Sequence, residues 1–341
     1  MSATHAYAIP TTRRESASVV VSRTPLRISF FGGGTDFREF YLREGGCVLS
    51  TTIDKFVHVT VRSRVDGRIR VQHTRTELVE HVDELRHDLI RESLRRAGIT
   101  GGVEVATSGD VPATGSGLGS SSAVIIGLLN GLYTLLGTPA DPEMLARHAC
   151  EVEVDVLGRP IGVQDQYIAS YGGQCFLRFN VDGRIDVEPL GLTPEQRLRF
   201  GRNLMLFSTR LEREGEAILR EQARNAVAGC SALRELKHLA EEARGHLLAE
   251  RFDDFGRLLH WGWEFKKRLA SRISNATIDR IYEAARSAGA FGGKVCGAGG
   301  GGYLLLYCPP ERQDRVREAL RLLPEFPFGL EAEGTRVIHQ A

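Results

Sequence analysis

The sequence predicts an α+β protein of two domains, and three observations indicate this fold class. At 341 residues the chain is long enough for two domains of ordinary size. Its first half has the pattern of a meandering sheet that contains one strand, glycine loop and helix unit. Its second half places three helical segments before a tail of alternating strands and helices. We therefore expect an N-terminal domain over 18–195 and a C-terminal domain over 196–341, preceded by a polar, flexible leader over 1–17.

The first segments of the chain are predicted as strands. A strand over 19–31 passes Pro25, which suits an edge or a bend, and ends in the glycine corner at 32–36. Asp36 then either caps a tight turn or accepts hydrogen bonds from ligand hydroxyls, and the residues alone leave both open. Three further strands and one amphipathic helix are expected at 46–53, 56–61, 68–72 and 83–97.

The most informative stretch is the loop of glycines and serines over 110–123. It joins strand-like residues 103–106 to an apolar helix that continues to about residue 136. Gly115, Gly117 and Gly119 can take positive φ angles, so their amides can approach a ligand. A helix start adds unpaired N–H groups and the positive end of a dipole. A glycine-rich turn with a capping serine would account for one serine and one or two glycines, whereas this loop has Gly115, Gly117 and Gly119 followed by three consecutive serines. We therefore interpret the loop as a phosphate site.

The loop departs from both common nucleotide-binding templates. A Walker A loop requires Gly-Lys-Ser/Thr, and 110–123 contains no lysine. A Rossmann loop requires G-x-G-x-x-G, whereas these glycines run G-x-G-x-G. The hydroxyls of Ser120, Ser121 and Ser122 can cap the helix, bind phosphate oxygens or ligate a hydrated metal.

Two carboxylates follow the loop helix. A helix is expected over 142–157, with Glu153 near an edge of its apolar stripe, and Gly158-Arg159-Pro160 ends it. Asp165 then stands in a loop that enters a short helix. It is either a helix-start residue or an acid/base group, and the residues alone favour the helix start.

The second half contains a second glycine cluster. Four consecutive glycines over 299–302 precede a strand, and ordering them costs conformational entropy that a bound phosphate or a close backbone contact could offset. The other elements expected after residue 170 are a hairpin, two strands and four helices: 174–179 with 184–188, 204–208, 328–332, 212–249, 252–272, 275–287 and 311–322.

Composition restricts the partners and the location. A formal net charge of +1 gives no broad electrostatic reason to expect nucleic acid or an acidic membrane as a partner. No apolar run approaches the roughly 20 residues of a membrane span, and 1–17 lacks the apolar stretch of a signal peptide. The six cysteines show neither C-x-x-C nor metal-ligand spacing. These features favour a reduced, cytoplasmic protein.

Three separated glycine motifs in this order resemble those of the GHMP kinases, the superfamily of galactokinase, homoserine kinase, mevalonate kinase and phosphomevalonate kinase. The resemblance spans about 19–335. Residues 112–123 match the Gly-Leu-Gly-Ser-Ser-Ala signature closely, with Ser122 where alanine is usual, while 27–36 and 294–303 match the first and third motifs. The forms of 31–37 and 162–167 resemble bacterial D-glycero-D-manno-heptose 7-phosphate kinases, and 31–37 also resembles the kinase part of fucokinases.

This resemblance implies a fold, two cofactors and a set of site residues. The fold has an N-terminal domain like ribosomal protein S5 domain 2 and a ferredoxin-like C-terminal domain, with ATP and sugar in the cleft. Ser121 and Glu153 are expected to hold Mg²⁺ through hard oxygen ligands. Asp165 is expected to accept the proton of the attacking sugar hydroxyl, with Arg27 stabilising charge at Asp165 or on the transferring phosphoryl group. The ATP-binding residues are expected to be Pro112, Gly115, Gly117, Leu118, Gly119, Ser120, Ser121 and Ser122. The substrate-binding residues are expected to be Gly33, Gly34, Thr35, Asp36, Lys294, Gly299 and Gly300.

The implied activity is ATP- and Mg²⁺-dependent phosphorylation of the anomeric hydroxyl of a heptose 7-phosphate, which yields a 1,7-bisphosphate for nucleotide-activated heptose synthesis. The expected partners are therefore ATP and a sugar phosphate, with neither nucleic acid nor membrane; the oligomeric state stays open. The alternatives are an L-fucose or other sugar 1-kinase and a non-catalytic sugar or nucleotide sensor. Basic groups available for the acceptor phosphate, among which the sequence does not select, are Arg27, Arg38, Lys55, Arg178, Arg213 and Lys294.

Overall fold

The computed structural model describes residues 18–112, 115–212, 215–227 and 231–341. The predicted leader and Arg213 lie outside these residues. The elements up to residue 189 are β1 (Val19–Phe31), α1 (Arg38–Glu44), β2 (Gly46–Ser63), β3 (Ile69–Gln72), β4 (Thr76–Val79), α2 (Asp88–Arg96), β5 (Val103–Gly109), α3 (Ser120–Leu135), α4 (Pro142–Cys150), α5 (Gln164–Tyr171), β6 (Gln174–Phe179) and β7 (Ile185–Pro189). The later elements are α6 (Pro194–Gly201), β8 (Leu204–Ser208), α7 (Gly215–Val227), α8 (Ser231–Leu248), α9 (Phe252–Lys266), α10 (Ala276–Ala288), β9 (Gly292–Val295), β10 (Tyr303–Tyr307), α11 (Gln313–Ala319) and β11 (Arg336–Gln340).

The larger sheet is organised around β2. This strand of 18 residues pairs antiparallel with β1 along most of its length. Its first half also pairs with β6 and its second half with β5, so one strand joins two branches of the sheet. Strands β3 and β4 extend the β5 branch, and β7 extends the β6 branch. The two strands predicted at 46–53 and 56–61 are thus one strand with a register shift between them.

Helix α3 packs closely on the sheet because small residues face it. A Cβ on Gly127 would lie 2.8 Å from Thr24 Oγ1, and one on Gly131 would lie 3.0 Å from Val61 Cγ2. Glycine at these positions therefore brings the helix axis nearer to β1 and β2 than a larger residue would allow. The loop before α3 is hydrogen-bonded to β1 through the carbonyl of Leu118.

The smaller sheet has the strand order β8-β10-β9 and is covered by helices of the second half. Leu305 of the smaller sheet belongs to one buried apolar cluster with Phe30 and Phe31 of β1. In this cluster the ring centroid of Phe255, on α9, lies 5.2 Å from Phe30, 5.1 Å from Phe31 and 4.9 Å from Phe200, edge to face. All four rings are essentially buried, so the two sheets share one continuous apolar core at this point.

The last strand corrects the expectation for the end of the chain. A strand was expected over 328–332, but that segment makes only an isolated bridge from Leu330 to Ile53. The final strand is β11, which pairs antiparallel with β1. The chain therefore returns to the larger sheet, where β11 pairs with the outer edge of β1. This last strand lies beyond the domain boundary proposed at residue 195.

Several helix bounds also differ from the sequence prediction. The helix expected over 83–97 begins only at Asp88, where His87 accepts a capping hydrogen bond from Ile90. Within the helix expected over 212–249, the described residues are helical over α7 and α8, and residues 228–230 lie outside the described part of the chain. The helix expected over 142–157 is α-helical only as α4 and continues as a π-helix over Glu151–Val156. Within the described residues, no helix is both long enough and apolar enough to cross a membrane.

Candidate active site

A cavity of about 570 Å³ lies in the cleft between the two sheets. Its walls come from the end of β1, the glycine loop, the start of α3, the start of α5, and from α7, α9 and β9 of the second half. Most of the side chains and glycines expected at the site line this one cavity: Arg27, Gly33, Gly34, Asp36, Gly115, Gly117, Gly119, Ser120, Ser121, Ser122, Glu153, Asp165 and Lys294. Residues distant in sequence are therefore brought together as the resemblance implied.

Thr35, Leu118 and Pro112 were expected at the site but do not line the cavity. Thr35 is completely buried, and its hydroxyl lies 2.8 Å from the carbonyl of Gly32 and accepts the N–H of Cys47 at 3.1 Å. Leu118 is likewise buried, and its carbonyl accepts the N–H of Arg27 at 2.9 Å. These two residues hold the first glycine corner and the loop in place instead of facing a ligand.

Gly299 and Gly300 also lie outside the cavity lining. A Cβ on Gly299 would be 2.8 Å from the carbonyl oxygen of Ile273, and the N–H of Gly300 donates to the same oxygen at 2.7 Å. Of the two explanations offered by the sequence for the four-glycine run, the structure shows the close backbone contact. The residues of this motif that reach the cavity precede the run: Lys294, Gly297 and Ala298.

The glycine loop has the backbone conformation that its sequence predicts. Gly115, Gly117 and Gly119 have φ angles of 81°, 77° and 77°. Gly119 is the N-cap of α3, and no side chain of the described residues caps this helix start. The hydroxyls of Ser121 and Ser122 instead point to Glu153. The first amides of α3 are thus left for an anion in the cavity.

Arg27 and Asp165, which both line the cavity, form a bidentate ion pair. Arg27 Nε and Nη2 donate to the two carboxylate oxygens of Asp165 at 2.6 Å each, and Nη1 donates to the carbonyl of Gly117 at 2.7 Å. Burial opposes the charge on Arg27, but Asp165 outweighs it and raises the pKa of the guanidinium. One side chain therefore fixes the glycine loop and the carboxylate of α5 relative to each other.

Glu153 is a buried residue of the turn of π-helix that follows α4. It is 1% exposed, and burial raises the pKa of its carboxyl although Ser122 and Gln166 donate to it at 2.8 and 2.6 Å. The sequence placed Glu153 at the edge of an apolar stripe by assuming an α-helix. The wider π turn changes the direction of its side chain, which faces the start of α3.

The other end of the cavity is lined by hydrogen-bonding groups around Asp36. One oxygen of Asp36 accepts the N–H of Gly34 at 2.8 Å and the other accepts that of Gln164 at 3.3 Å. Burial, with repulsion from Asp165, raises the pKa of this carboxyl. A Cβ on Gly162 would lie 1.8 Å from Asp36 Oδ2, so only glycine fits there. Asp36 thus both caps the turn and faces the cavity.

Two neighbouring side chains keep unpaired polar atoms at this end. Ser29 Oγ and Gln164 Oε1 are buried without a hydrogen-bond partner among the described residues, and both residues line the cavity. Both lie near Gly33, whose Cβ would be 3.5 Å from Ser29 Oγ and 3.6 Å from Gln164 Nε2. Buried groups of this kind are ordinarily satisfied, so a polar ligand is the expected partner. We refer to Ser29, Asp36 and Gln164 as the acceptor end.

The sequence prediction missed several residues of the site. Ser29 and Gln164 carry no local signal beyond standing next to a predicted motif. Arg159 had one, because a charged residue between the helix-ending Gly158 and Pro160 emerges at the same end of the helix as Glu153. Lysine 294 was predicted, but its Nζ donates to the carbonyls of Ser29 and Phe30 at 2.8 and 3.0 Å, and burial lowers its pKa to about 8.

Comparison with known proteins places the chain in a family. Residues 84–173 match the N-terminal domain of GHMP kinases, and residues 230–323 match the C-terminal domain of the same kinases. The chain belongs to the GHMP kinases. The expected fold class and kinase activity are thereby confirmed, and ATP is the phosphoryl donor of this family.

Relatives of this GHMP kinase include sugar-phosphate and sugar kinases. A D-glycero-α-D-manno-heptose 7-phosphate kinase of Campylobacter jejuni is 29% identical over 318 residues, which cover 88% of this chain and 92% of the relative. A bifunctional fucokinase/GDP-fucose pyrophosphorylase of Arabidopsis thaliana is 25% identical over 89% of this chain but only 31% of its own length. The crystal structure of a D-glycero-D-manno-heptose 1-phosphate kinase of Bacteroides thetaiotaomicron superposes with a TM-score of 0.78 at 26% identity, covering 94% of this chain and 99% of that one.

The donor set of this GHMP kinase fits a magnesium ion. Ser121 Oγ and Glu153 Oε1 are 3.3 Å apart, close to the roughly 3 Å that separates adjacent oxygens around an octahedral Mg²⁺ with bonds of about 2.1 Å. In the part of the chain that the structure describes, no three His, Cys, Asp or Glu residues cluster as metal ligands. Magnesium suits such a site because it commonly uses one carboxylate, waters and the phosphates of the substrate.

Proposed function

We propose that this GHMP kinase is an ATP- and Mg²⁺-dependent sugar 1-kinase that phosphorylates the anomeric hydroxyl of a heptose 7-phosphate to the 1,7-bisphosphate. The product would serve nucleotide-activated heptose synthesis. The heptose 7-phosphate kinase relative supports this substrate, since the similarity covers nearly the whole of both chains.

The observation that carries the proposal is the Arg27–Asp165 pair. It stands between the glycine loop, to which Arg27 is bonded through Gly117, and the acceptor end, which shares α5 with Asp165. A hydroxyl bound there would contact a carboxylate and a phosphoryl group together. This position suits an in-line transfer between the two ends of one cavity.

The residues have distinct roles in this mechanism. Asp165 accepts the proton of the attacking hydroxyl, and Arg27 orients that carboxylate and balances its charge. A strong base is not needed, because a metaphosphate-like transition state depends mainly on positioning and charge stabilisation. Ser121 and Glu153 would hold Mg²⁺, which neutralises phosphate charge when bound. The amides at the start of α3 bind the phosphates.

The acceptor end supports a polyhydroxylated substrate. Ser29 Oγ and Gln164 Oε1 have no hydrogen-bond partner in the part of the chain that the structure describes, and Asp36 presents a buried carboxylate beside them. A sugar supplies several hydroxyls that can satisfy such groups at once. A site built to bond hydroxyls rejects analogues without them strongly, because its buried polar atoms would stay unpaired.

A coupled ADP-release assay over free and phosphorylated sugars tests the proposal, with phosphorus NMR locating the new phosphate. We expect turnover on heptose 7-phosphate with the product phosphorylated at the anomeric oxygen. Activity on free fucose but none on heptose 7-phosphate would overturn the substrate, and nucleotide binding without ADP release on any acceptor would favour a sensor. Asp165→Asn should abolish turnover while leaving ATP binding largely intact. Near-normal turnover in that variant would refute the role of Asp165.

A further inference from the structure

Arg159 contacts the Ser121 and Glu153 pair from the end of the π-helix. Its Nη1 donates to Ser121 Oγ at 3.1 Å and lies 3.8 Å from Glu153 Oε1. Its Nη2 lies 3.2 Å from each carboxylate oxygen of Asp88, at the start of α2. The side chain is 28% exposed and lines the cavity. The guanidinium is therefore anchored on one edge by Asp88 and presents its other edge to the start of α3.

The glycine loop needs a cation from another part of the chain. The triphosphate of ATP carries several negative charges, and the loop itself contains no lysine. Arg27 makes hydrogen bonds to Asp165 and the Gly117 carbonyl, and Lys294 donates to carbonyls of β1. Arg159 touches Ser121, the second residue of α3, so its guanidinium already stands beside the amides that attract an anion.

We propose that Arg159 is a phosphate-binding residue that holds Ser121 and Glu153 in the nucleotide-free protein and turns to the phosphate oxygens of ATP when the nucleotide enters. This inference rests on the proposed function only in assigning ATP to the glycine loop. A guanidinium forms paired, charge-assisted hydrogen bonds with phosphate oxygens. The hydroxyl and the carboxylate that it releases are the two groups that fit a magnesium ion. Asp88 keeps the guanidinium beside the cavity in both arrangements.

Calorimetric titration with ATP, in excess chelator and in excess Mg²⁺, measures this role directly. Arg159→Gln should weaken metal-free ATP binding by about 10- to 100-fold, the equivalent of losing one hydrogen bond to a charged group. The loss should be smaller with Mg²⁺ present, and Arg159→Lys should fall between Arg159→Gln and wild type. Arg147→Gln is the matched control. It removes the same charge from an exposed side chain outside the cavity, so it should leave ATP binding unchanged.

Manganese binding to the nucleotide-free protein, followed by electron paramagnetic resonance, provides a second readout. Arg159→Gln should bind Mn²⁺ more tightly than wild type, because the guanidinium no longer occupies Ser121 and Glu153. Unchanged metal-free ATP affinity in a folded Arg159→Gln variant would overturn the phosphate role, and unchanged Mn²⁺ affinity would overturn the exchange. If Arg159→Gln does not fold, the same ATP and Mn²⁺ titrations of Arg159→Lys and Asp88→Asn test the phosphate role and the exchange. Wild-type protein that binds no ATP in either titration would instead contradict the proposed function.

Discussion

Replacing Arg27 with lysine tests how much of the catalysis depends on its bidentate ion pair with Asp165. The guanidinium makes three hydrogen bonds, two to Asp165 and one to the Gly117 carbonyl. A lysine ammonium keeps the charge but is a compact donor that cannot reproduce the planar fork. About two bonds would be lost, and hydrogen bonds to charged groups contribute about 1.5–3 kcal/mol each. Because Asp165 is 21% exposed and water can replace part of this, we expect a loss of about 3–4 kcal/mol.

A loss of that size corresponds to a fall in kcat/KM of about 10²- to 10³-fold. The ADP-release assay measures it at saturating ATP with the sugar phosphate varied, and calorimetry with ATP measures nucleotide affinity separately. Arg64→Lys is the control variant. Arg64 also bonds carboxylates, those of Asp66 and Glu104, but lies outside the cavity, so its kinetics should match wild type. A kcat/KM for Arg27→Lys within about threefold of wild type would refute the reasoning.

Three further perturbations follow from the structure. Glu153→Gln should raise the Mg²⁺ concentration that gives half-maximal activity by about tenfold or more, seen by titrating Mg²⁺ in the kinase assay; an unchanged midpoint contradicts the metal role. Lys294 has a folded pKa of about 8 against an ordinary value of 10.5, so the unfolded chain binds more protons in that window and the contribution of Lys294 to stability rises with pH there. The free energy of unfolding of Lys294→Met, measured from unfolding curves at several pH values, should therefore lack that rise. If wild type and variant show parallel pH profiles, Lys294 makes no such contribution. Gly256→Ala should lower the free energy of unfolding by about 1–3 kcal/mol, since the added Cβ on α9 would lie 2.2 Å from Tyr307 Cδ1. Gly245→Ala, in open space on α8, should be neutral or stabilising in the same melts.

The parts of the site that could be predicted are those whose structure is local. The glycine loop is one: alternating glycines before an apolar helix specify positive φ angles and an open helix start wherever the segment lies. The direction of Glu153 is the opposite case. Its position was calculated for 3.6 residues per turn, and the six π-helical residues after α4 change that geometry without a signal in the sequence.

Side chains that depend on strand register could not be assigned from the sequence. Ser29 and Thr35 are both hydroxyl residues beside the first glycine corner, and the prediction chose Thr35. The pairing of β1 with β2 is irregular between Ser29 and Phe31, and Ser29 lines the cavity. The side chain of Thr35 instead faces inward and bonds to the backbone of β2. The four-glycine run shows the same limit. Glycines required by a tight backbone contact and glycines required by a ligand look identical in a sequence.

The long-range pairs explain how this loop can bind phosphate without a lysine of its own. In a Walker A loop the cation is part of the loop, so one short motif carries both the amides and the charge. Here the loop contributes amides and hydroxyls but no cation, while Arg27 comes from β1 and Arg159 from the residues that follow the π-helix, 38 residues beyond Ser121. Substitutions within the loop should therefore change the shape of the phosphate site, and substitutions outside it should change the charge. The charge of the site is thus a tertiary property, because Asp165 and Asp88 must be folded in place to hold the two arginines at the loop.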